Sequence, residues 1–571
     1  MTTFAWPRRI ALLTAAMLAG CAANGAPSAD SPSPGLFRRD SGTAFSHYLV
    51  GRFASAEGDT ATAADNLLAA LALDPNEPEL IGRAFLATVM DGRSDAQRLA
   101  RRMPDNQLAQ FLLIGADAQA GRWDQAQTKL LALPKQGAAQ ILQPLMLAWV
   151  LAGRGQTDAA LNTLRPLAEN GRLRSLNALH AAMIADIANR PRDAERYARI
   201  AVETSNEPNL RQVQALAGIF TRAGRQVEAM KLIEELAASN DELGLIATPE
   251  ARRKMLGGRA VASPVEGIAE AELALGSALR AQGVGDLSIV LARLALSLRP
   301  NFSPALLMIA EATAEDKHYD AAVALLERIP RDDLLAPVAD LRRAAILDRM
   351  DKTDEAIALL QKLTEAEPAA PTPPSRLGDM LRRRMRFAEA AAAYDTAISR
   401  LGTPTNEDWP LFYARGIARE RSGRWADAEA DLKQALTLAP EQPYVLNYLG
   451  YTWVDQGQNL ETAKQMLERA AELRPQDGNI ADSVGWALYR LGDIKGAIAW
   501  LEKAVELESQ NATINDHLGD AYWRAGRQLE ARYQWFRALG QELEPGEGPK
   551  IEAKLRDGLT DAPPAPAPAK P

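Results

Sequence analysis

Cysteine and histidine are scarce in this chain, and their scarcity excludes several kinds of chemistry. The 571 residues include one cysteine and four histidines. A single cysteine, Cys21, cannot form a disulfide within the chain. The histidines His47, His180, His318 and His517 are far apart in sequence, so no two of them have the close spacing of a zinc-binding motif.

Signature motifs of catalysis are also absent. The sequence has no His-Glu-x-x-His pair, no Gly-x-x-x-x-Gly-Lys-Ser/Thr phosphate loop and no Gly-x-Ser-x-Gly elbow. Asp516, His517 and Asp520 share helical spacing, and we interpret them as a solvated polar helix face with a surface imidazole. We therefore expect no enzyme activity, no metal and no cofactor. A hydrolase whose site is built across distant segments stays open as an alternative.

No apolar run reaches the twenty or so residues that a membrane-spanning helix needs. The run 10–18 is half that length, follows Arg8 and Arg9, and leads into small residues, which together indicate a secretory signal. Its ending, Leu18-Ala19-Gly20-Cys21, resembles the lipobox of bacterial lipoproteins. In that family the cysteine receives a diacylglycerol and the preceding peptide is removed. We therefore expect residues 1–20 to be a signal peptide and Cys21 to be the lipidation site.

The residues after Cys21 extend this expectation. Positions 22 and 23 are both alanine, and the absence of aspartate there resembles lipoproteins that are sorted to the outer membrane. Residues 21–42 are rich in Ser, Pro and Ala and predict a flexible tether. Residues 544–571 are a predicted C-terminal tail, and the last ten of them, 562–571, are again rich in Pro and Ala. We expect the protein to lie on the periplasmic side of the outer membrane; inner-membrane attachment stays open.

The overall composition predicts helix throughout. The chain is rich in Ala, Leu, Glu and Arg, which are good helix formers. Its net charge is −8, and acidic and basic residues are interleaved rather than separated. Without a basic stripe we expect no nucleic-acid partner.

A repeat of 34 residues decides the fold class. Gly276, Ala310, Ala344 and Gly378 are 34 residues apart, and a small residue follows each of them after twelve positions. The same ladder continues through units that begin near Gly416, Gly450, Gly485 and Gly519, and one near Gly51 fits without adjustment. Small residues at such positions let the two helices of a hairpin approach closely. A Gly near the middle of the unit turns the chain, and a Pro closes the unit because it cannot continue a helix.

This pattern resembles the tetratricopeptide repeat (TPR), which implies an all-α superhelix of stacked helical hairpins. We count about thirteen repeats, of which the second and third are degenerate. The resemblance covers an N-terminal array at 43–239 and a C-terminal array at 268–543. Between them, residues 240–267 contain several Gly and Pro residues and predict an interruption or loop.

The C-terminal repeats are rich in aromatic residues and predict a partner-binding groove. Seven of the ten tryptophans and seven of the eleven tyrosines lie between residues 409 and 539. In tetratricopeptide repeats, the first helix of each hairpin lines the concave face. By that register the predicted groove residues are Tyr413, Asn447, Tyr451, Asp482, Trp486, Tyr489, Asp516, Asp520 and Trp523.

A narrower resemblance is confined to about one hundred C-terminal residues. The segments 447–451, 482–486 and 517–527 look like the matching repeats of LbcA-type lipoproteins. In that family the protein binds a carboxyl-terminal processing protease together with its substrates, which include cell-wall hydrolases. The resemblance implies a non-enzymatic scaffold or adaptor for protein partners. An assembly or pilotin-like factor for an envelope export machine stays open as an alternative of the same class.

Overall fold

The computed structural model describes residues 42–205, 209–239, 242–543 and 546–559. These residues form thirty α-helices and one 3-10 helix, and no strand occurs among them. Cys21, the signal peptide and the Pro/Ala-rich stretches at 22–34 and 562–571 lie outside the described residues. Within the described ranges, no helix is both long and apolar enough to cross a membrane.

Twenty-eight of the helices pair into fourteen antiparallel hairpins, so the expected solenoid is confirmed with one unit more than the sequence count. The hairpins are α1 (Ala44–Ala56) with α2 (Thr60–Leu73), α3 (Pro78–Asp91) with α4 (Asp95–Ala100), α5 (Gln107–Gln119) with α6 (Trp123–Ala132), α7 (Ala138–Gly153) with α8 (Thr157–Asn170), α9 (Arg174–Ile187) with α10 (Pro191–Glu203), α11 (Leu210–Arg222) with α12 (Gln226–Ser239), α14 (Pro264–Ala281) with α15 (Gly285–Leu298), α16 (Ser303–Glu315) with α17 (Tyr319–Glu327), α18 (Ala336–Arg349) with α19 (Thr353–Ala366), α20 (Thr372–Arg383) with α21 (Phe387–Ser399), α22 (Trp409–Arg421) with α23 (Trp425–Leu438), α24 (Pro443–Asp455) with α25 (Leu460–Leu473), α26 (Gly478–Arg490) with α27 (Ile494–Leu507), and α28 (Ala512–Arg524) with α29 (Gln528–Leu539). The remaining two helices are α13 (Pro249–Gly257) and α30 (Glu547–Asp557).

Small residues bring the two helices of a hairpin together, as the repeat predicts. A Cβ atom added at Gly450 of α24 would lie 3.0 Å from the side chain of Leu467 on α25. In the next hairpin, a Cβ at Gly485 would lie 2.6 Å from the side chain of Leu501. The large residue of the second helix therefore fills the space that the glycine leaves on the first.

Each hairpin turn contains a residue with a positive φ angle, the left-handed conformation that favours glycine, and the turn between α24 and α25 has a second one, Asn459. Ten of the fourteen turns use glycine there, and the other four use Asn189, Lys317, Asp351 and Met385. The recurrence shows that one turn geometry is kept along the whole solenoid, even where the sequence offers no glycine.

The segment 240–267, which the sequence predicts to be an interruption or loop, lies between two hairpins and is helical where it is described. It contains a 3-10 helix at Leu243–Ala247, then α13 and the start of α14. The side chain of Thr248 accepts a hydrogen bond from the backbone of Ala251, and Pro249 occupies the first turn of α13. Ser263 and Pro264 begin α14 in the same way. Both prolines therefore mark helix starts, where a missing N–H costs nothing, rather than loop positions.

The predicted tail at 544–571 also contains structure, because α30 packs against α29. Its Ile551 side chain is buried and belongs to the hydrophobic core of the last hairpins. Helix α30 therefore covers the end of the solenoid, which would otherwise expose the core face of the final repeat.

The first half of the solenoid curls back on itself. Helix α14 packs against α5, α7 and α9, and α15 packs against α3 and α5. The side-chain amide of Gln119 donates hydrogen bonds to the backbone carbonyls of Ser297 at 3.0 Å and Leu298 at 3.3 Å. We call this contact between the early hairpins and the α14–α17 hairpins the seam. It places residues 54–418 around one continuous hydrophobic core, and a second core begins at Phe412.

Candidate functional site

Two surfaces on the first helices of the hairpins are candidates for binding a partner. The first is the predicted C-terminal groove, whose residues lie on α22, α24, α26 and α28. The second is a groove in the middle of the chain that the sequence did not reveal.

At the start of the C-terminal surface, aromatic rings pack edge to face. Tyr413 lies 5.9 Å from Tyr448 between ring centroids, at an interplanar angle of 89°. Burial raises the pKa of Tyr413 to about 12. On the next helix, Asn447 and Tyr451 are half-buried. The amide oxygen of Asn447 is enclosed without a hydrogen-bond partner in the described part of the chain, which is unusual for a buried polar atom.

The centre of this surface is a stack of three rings. Trp486 lies 4.0 Å from His517 and 4.9 Å from Tyr489 between ring centroids, and both pairs are nearly parallel. Asp482 is buried and lies 3.0 Å from Nδ1 of His517. Burial alone would lower the pKa of His517, but the neighbouring carboxylates, Asp482 foremost, outweigh it and raise that pKa. The interpretation of His517 as a surface imidazole is therefore wrong.

The far end of the surface is occupied by α30. Lys554 forms ion pairs with Asp516 at 2.7 Å and Asp520 at 2.9 Å. Asp520 also accepts a hydrogen bond from the indole of Trp535 at 2.9 Å. Burial and the adjacent Asp516 carboxylate raise the pKa of Asp520 to about 6, although Lys554 opposes the shift. Predicted groove residues here thus contact another part of the same chain.

Trp523 also contacts the segment at the end of α30. Its indole lies so close to Gly558, just after α30, that a Cβ added at Gly558 would be 2.1 Å from the ring. Among the nine predicted residues, Tyr413, Asn447, Tyr451 and Trp486 are half-buried and lie on the helices before α28, away from these contacts with α30 and the residue after it. No group of three or more His, Cys, Asp or Glu in the described ranges could hold a metal ion.

The second candidate surface, which we call the central groove, is a cavity of about 620 Å³. Its lining residues lie on α9, α11, α14 and α16, or just before α9, α11 and α18, all of them first helices of hairpins. The larger apolar side chains of the lining are Leu173, Leu176, Leu179, Met183, Leu210, Leu273, Leu307, Met308 and Leu335. Such a continuous leucine and methionine surface suits the apolar face of a bound helix or peptide.

Charged residues flank the central groove as ion pairs. Arg211 donates to Glu270 at 2.9 Å, which ties α11 to α14. Arg342 lies 2.6 Å from Glu311, whose pKa is raised by burial in spite of this partner. The sequence could not reveal this groove because its helices lie on both sides of the 240–267 segment, where the repeat register is lost.

Three family models match the chain. A "Tetratricopeptide repeat-like domain" covers residues 302–409, a "Tetratricopeptide repeat" covers 413–478, and a "TPR repeat" covers 485–526. Together with the fourteen hairpins, these matches decide the fold. The described chain is a TPR-like helical solenoid, and the matches to tetratricopeptide-repeat models lie within residues 302–526. Repeats of this type support a role in protein interaction.

Among curated proteins, this solenoid is similar to the TPR repeat-containing protein PA4667 of Pseudomonas aeruginosa. The two are 29% identical over 174 residues, which is 29% of this chain and 28% of the relative. The match therefore spans less than a third of the length of either protein.

Solved structures of other proteins align over about a third of the solenoid. MamA from Desulfovibrio magneticus RS-1 is 19% identical, with 30% of this chain and 93% of MamA covered at a TM-score of 0.27. YrrB, described as a TPR protein with an unusual peptide-binding site, is 17% identical, with 34% and 95% covered at a TM-score of 0.28.

Proposed function

We propose that this protein is a lipid-anchored adaptor in the periplasm that binds other proteins and has no catalytic role. Cys21 carries the lipid, and the residues after it tether the solenoid to the outer membrane. The adaptor recruits a processing protease and brings it together with cell-wall hydrolase substrates. The sequence resemblances at Cys21 and in the C-terminal repeats support the anchor and the partners.

The central groove is the observation that carries the binding role. It is apolar, about 620 Å³ in volume, and lined from four successive first helices. An amphipathic helix or an extended apolar segment can bury several side chains there. The uncovered part of the C-terminal surface, around Tyr451 and Trp486, offers a separate contact. Two surfaces on one solenoid would hold two partners at a high effective concentration relative to each other.

In-cell photocrosslinking tests this function. A photoreactive residue replaces Ser277, an exposed residue of the central groove, and as a control replaces Leu131, which is 57% exposed on α6 outside the groove. We expect the probe at 277, but not at 131, to form adducts that mass spectrometry identifies as an envelope protease or a cell-wall hydrolase. Equal labelling at both positions would contradict a binding role for the groove.

The same cells test the anchor when Cys21→Ser is introduced. We expect the variant to shift from the membrane to the soluble fraction, because without the lipid only the short apolar run 10–18 remains to hold it there, and that run is half the length of a membrane-spanning helix. Ala22→Ser is the matched control and should remain with the membrane. If Cys21→Ser also remains membrane-bound after a high-salt wash, the lipoprotein assignment is wrong, whereas the crosslinking result still stands.

A further inference from the structure

A large cavity lies in the seam, away from both candidate surfaces. Its volume is about 1050 Å³. One wall comes from α1, α2 and α3 of the first hairpins, and the other comes from α15, α17 and the turn between α16 and α17. At the edge of the cavity, the turn at Gly58 packs directly against the His318 ring. We call this cavity the seam cavity.

Arg293 of α15 is the unusual residue of this cavity. Its Nε atom is enclosed and has no hydrogen-bond partner, and no carboxylate in the described part of the chain forms an ion pair with it. Burial, with a contribution from the like charge of Arg328, lowers the pKa of Arg293 to about 10, although the more distant Asp91 carboxylate opposes the shift. A guanidinium with that pKa is still charged at neutral pH.

The carboxylates in the lining form no ion pair with Arg293 within the described ranges. Asp91 is already held by Arg93 at 2.5 Å and by the hydroxyl of Thr60 at 2.9 Å. Arg328 adds to the positive charge of the lining, and the hydrogen bond it donates in the described part of the chain goes to the backbone carbonyl of Pro300. The remaining carboxylates of the lining are exposed to solvent; they are Glu57, Asp286 and Asp316.

Arg293 is half-buried, and its enclosed Nε atom has no partner in the described part of the chain. A partly desolvated charge without an ion-pair partner is costly, and it favours the binding of an anion. Arginine cannot escape the cost by losing its proton. Its planar guanidinium matches the geometry of carboxylate and phosphate groups. The seam cavity is also as large as the sites that usually hold small organic ligands, which measure about 300–1,000 Å³.

We infer that the seam cavity binds a small soluble oxyanion, a carboxylate or phosphate compound, whose negative charge pairs with Arg293 and Arg328. Because the two walls come from hairpins that are far apart in sequence, the bound anion also links the first hairpins to α15 and α17. This site is independent of the proposed adaptor function.

Thermal unfolding of the full chain tests the inference with citrate and inorganic phosphate as separate probes. Each is titrated against sodium chloride at matched ionic strength, so that general salt effects cancel. We expect at least one probe to raise the unfolding temperature in a saturable manner. The better probe shows whether the site prefers carboxylate or phosphate. No saturable rise with either anion would overturn the inference.

Arg293→Met supplies the decisive variant, because it removes the charge and keeps an apolar side chain of similar length. We expect it to unfold at a higher temperature than the wild type without anion, and to lose the anion-dependent rise. Arg101→Met, at an exposed arginine outside the cavity, should change neither result. An anion-dependent rise that survives in Arg293→Met would place the binding elsewhere.

A second variant protects the test if Arg293→Met fails to fold. Arg328 is exposed, so Arg328→Met is expected to fold and to bind the better anion about tenfold more weakly. Unchanged affinity in this variant would contradict the role of Arg328. In the wild type, hydrogen exchange in α1, α2, α15 and α17 should slow on anion binding only if the site is the seam cavity.

Discussion

One tryptophan, Trp149, joins three helices of the first core through a hydrogen bond and a close ring contact. The indole of Trp149 on α7 donates to Nδ1 of His180 on α9 at 2.9 Å. Gly267 of α14 lies so close to the Trp149 ring that a Cβ there would be 2.2 Å from it. Burial lowers the pKa of His180 to about 3, so the imidazole stays neutral and can accept the bond.

This environment predicts a loss of stability in mild acid. The unfolded chain binds a proton at His180 near the ordinary pKa of 6.5, whereas the folded chain does so only near 3. Stability is therefore fully present above pH 6.5 and falls as the pH drops toward 3, by about 1.4 kcal/mol per pH unit. We expect His180 to cost about 2 kcal/mol between pH 7 and pH 5.

Urea unfolding of the wild type and His180→Asn at the two pH values measures this contribution. The asparagine amide does not titrate and its oxygen can accept from Trp149. We expect the variant to lose about 2 kcal/mol less than the wild type between pH 7 and pH 5. An identical pH dependence of the two proteins would show that His180 titrates normally in the folded state.

Among the structural elements, the hairpin turn at Met385 has a strained backbone conformation that a substitution can relieve. Met385 occupies the left-handed position in the turn between α20 and α21, with φ of 58°, and its side chain is 66% exposed. A residue with a Cβ atom pays roughly 1–2 kcal/mol for this conformation. Part of the relief that glycine brings is offset by its greater freedom in the unfolded chain.

We therefore expect Met385→Gly to increase the free energy of unfolding by about 0.5–1 kcal/mol. Met385→Ala is the matched control, since it removes the same side chain but keeps the Cβ atom, and it should bring no gain. Calorimetric or denaturant unfolding of the three proteins decides the matter. Equal stabilisation by alanine and glycine would trace the effect to the methionine side chain instead.

The docking of α30 depends on Lys554. Lys554→Met leaves Asp516 and Asp520 side by side with no cation, in a place where both are largely buried. Breaking a buried ion pair by removing one partner costs about 3–5 kcal/mol, and the partial exposure of Lys554 places this pair at the low end of that range. We expect hydrogen exchange in α30 to become 10-fold or more faster and the Trp523 indole to become exposed to fluorescence quenchers.

Lys550→Met is the control for this prediction, because Lys550 is on the same helix and its side chain is 67% exposed. This variant should leave the backbone amides of α30 as protected from hydrogen exchange as in the wild type. Similar exchange rates in the Lys550 and Lys554 variants would indicate that α30 docks through Ile551 alone.

The elements differ in how far the sequence predicted them. The hairpins were predictable because glycine and alanine recur every 34 residues where two helices cross, a local requirement of close packing. Pro249 and Pro264 were misinterpreted, since a proline at the start of a helix and one in a loop look alike without the capping contacts. Helix α30 was missed because it is a single helix without a hairpin partner, so no repeat marks it.

The candidate sites were less predictable for a related reason. Register placed Trp486 and Tyr451 on the first helices, but it could not show that Lys554 covers Asp516 and Asp520. The central groove and the seam cavity depend on contacts between hairpins that the chain brings together only by curling. Nothing local in the sequence encodes that curvature.

At the scale of the whole molecule, the seam closes the first half of the solenoid. Gly115 of α5 lies against Leu298, and a Cβ at position 115 would be 2.9 Å from that side chain. We expect Gly115→Leu to force α5 and α15 apart, which should increase the radius of gyration in X-ray scattering. Hydrogen exchange should rise in α3, α5 and α15 and stay unchanged in α24–α29.

Gly257→Leu is the control, because no atom lies within 4 Å of a Cβ placed there. It should leave the scattering profile as in the wild type. A Gly115→Leu protein with an unchanged radius of gyration would mean that the core absorbs the extra side chain without opening the seam.

The seam also affects the order in which the chain can fold. A simple solenoid can fold one repeat after another during synthesis, because each repeat contacts only its neighbours. Here Gln119 cannot form its hydrogen bond until Ser297, which is 178 residues further along the chain, has been synthesised. At 5–20 residues per second this delay is roughly 10–35 s. During that time α3 and α5 lack only their contacts with α14 and α15, so the seam face of these helices stays uncovered until α15 emerges.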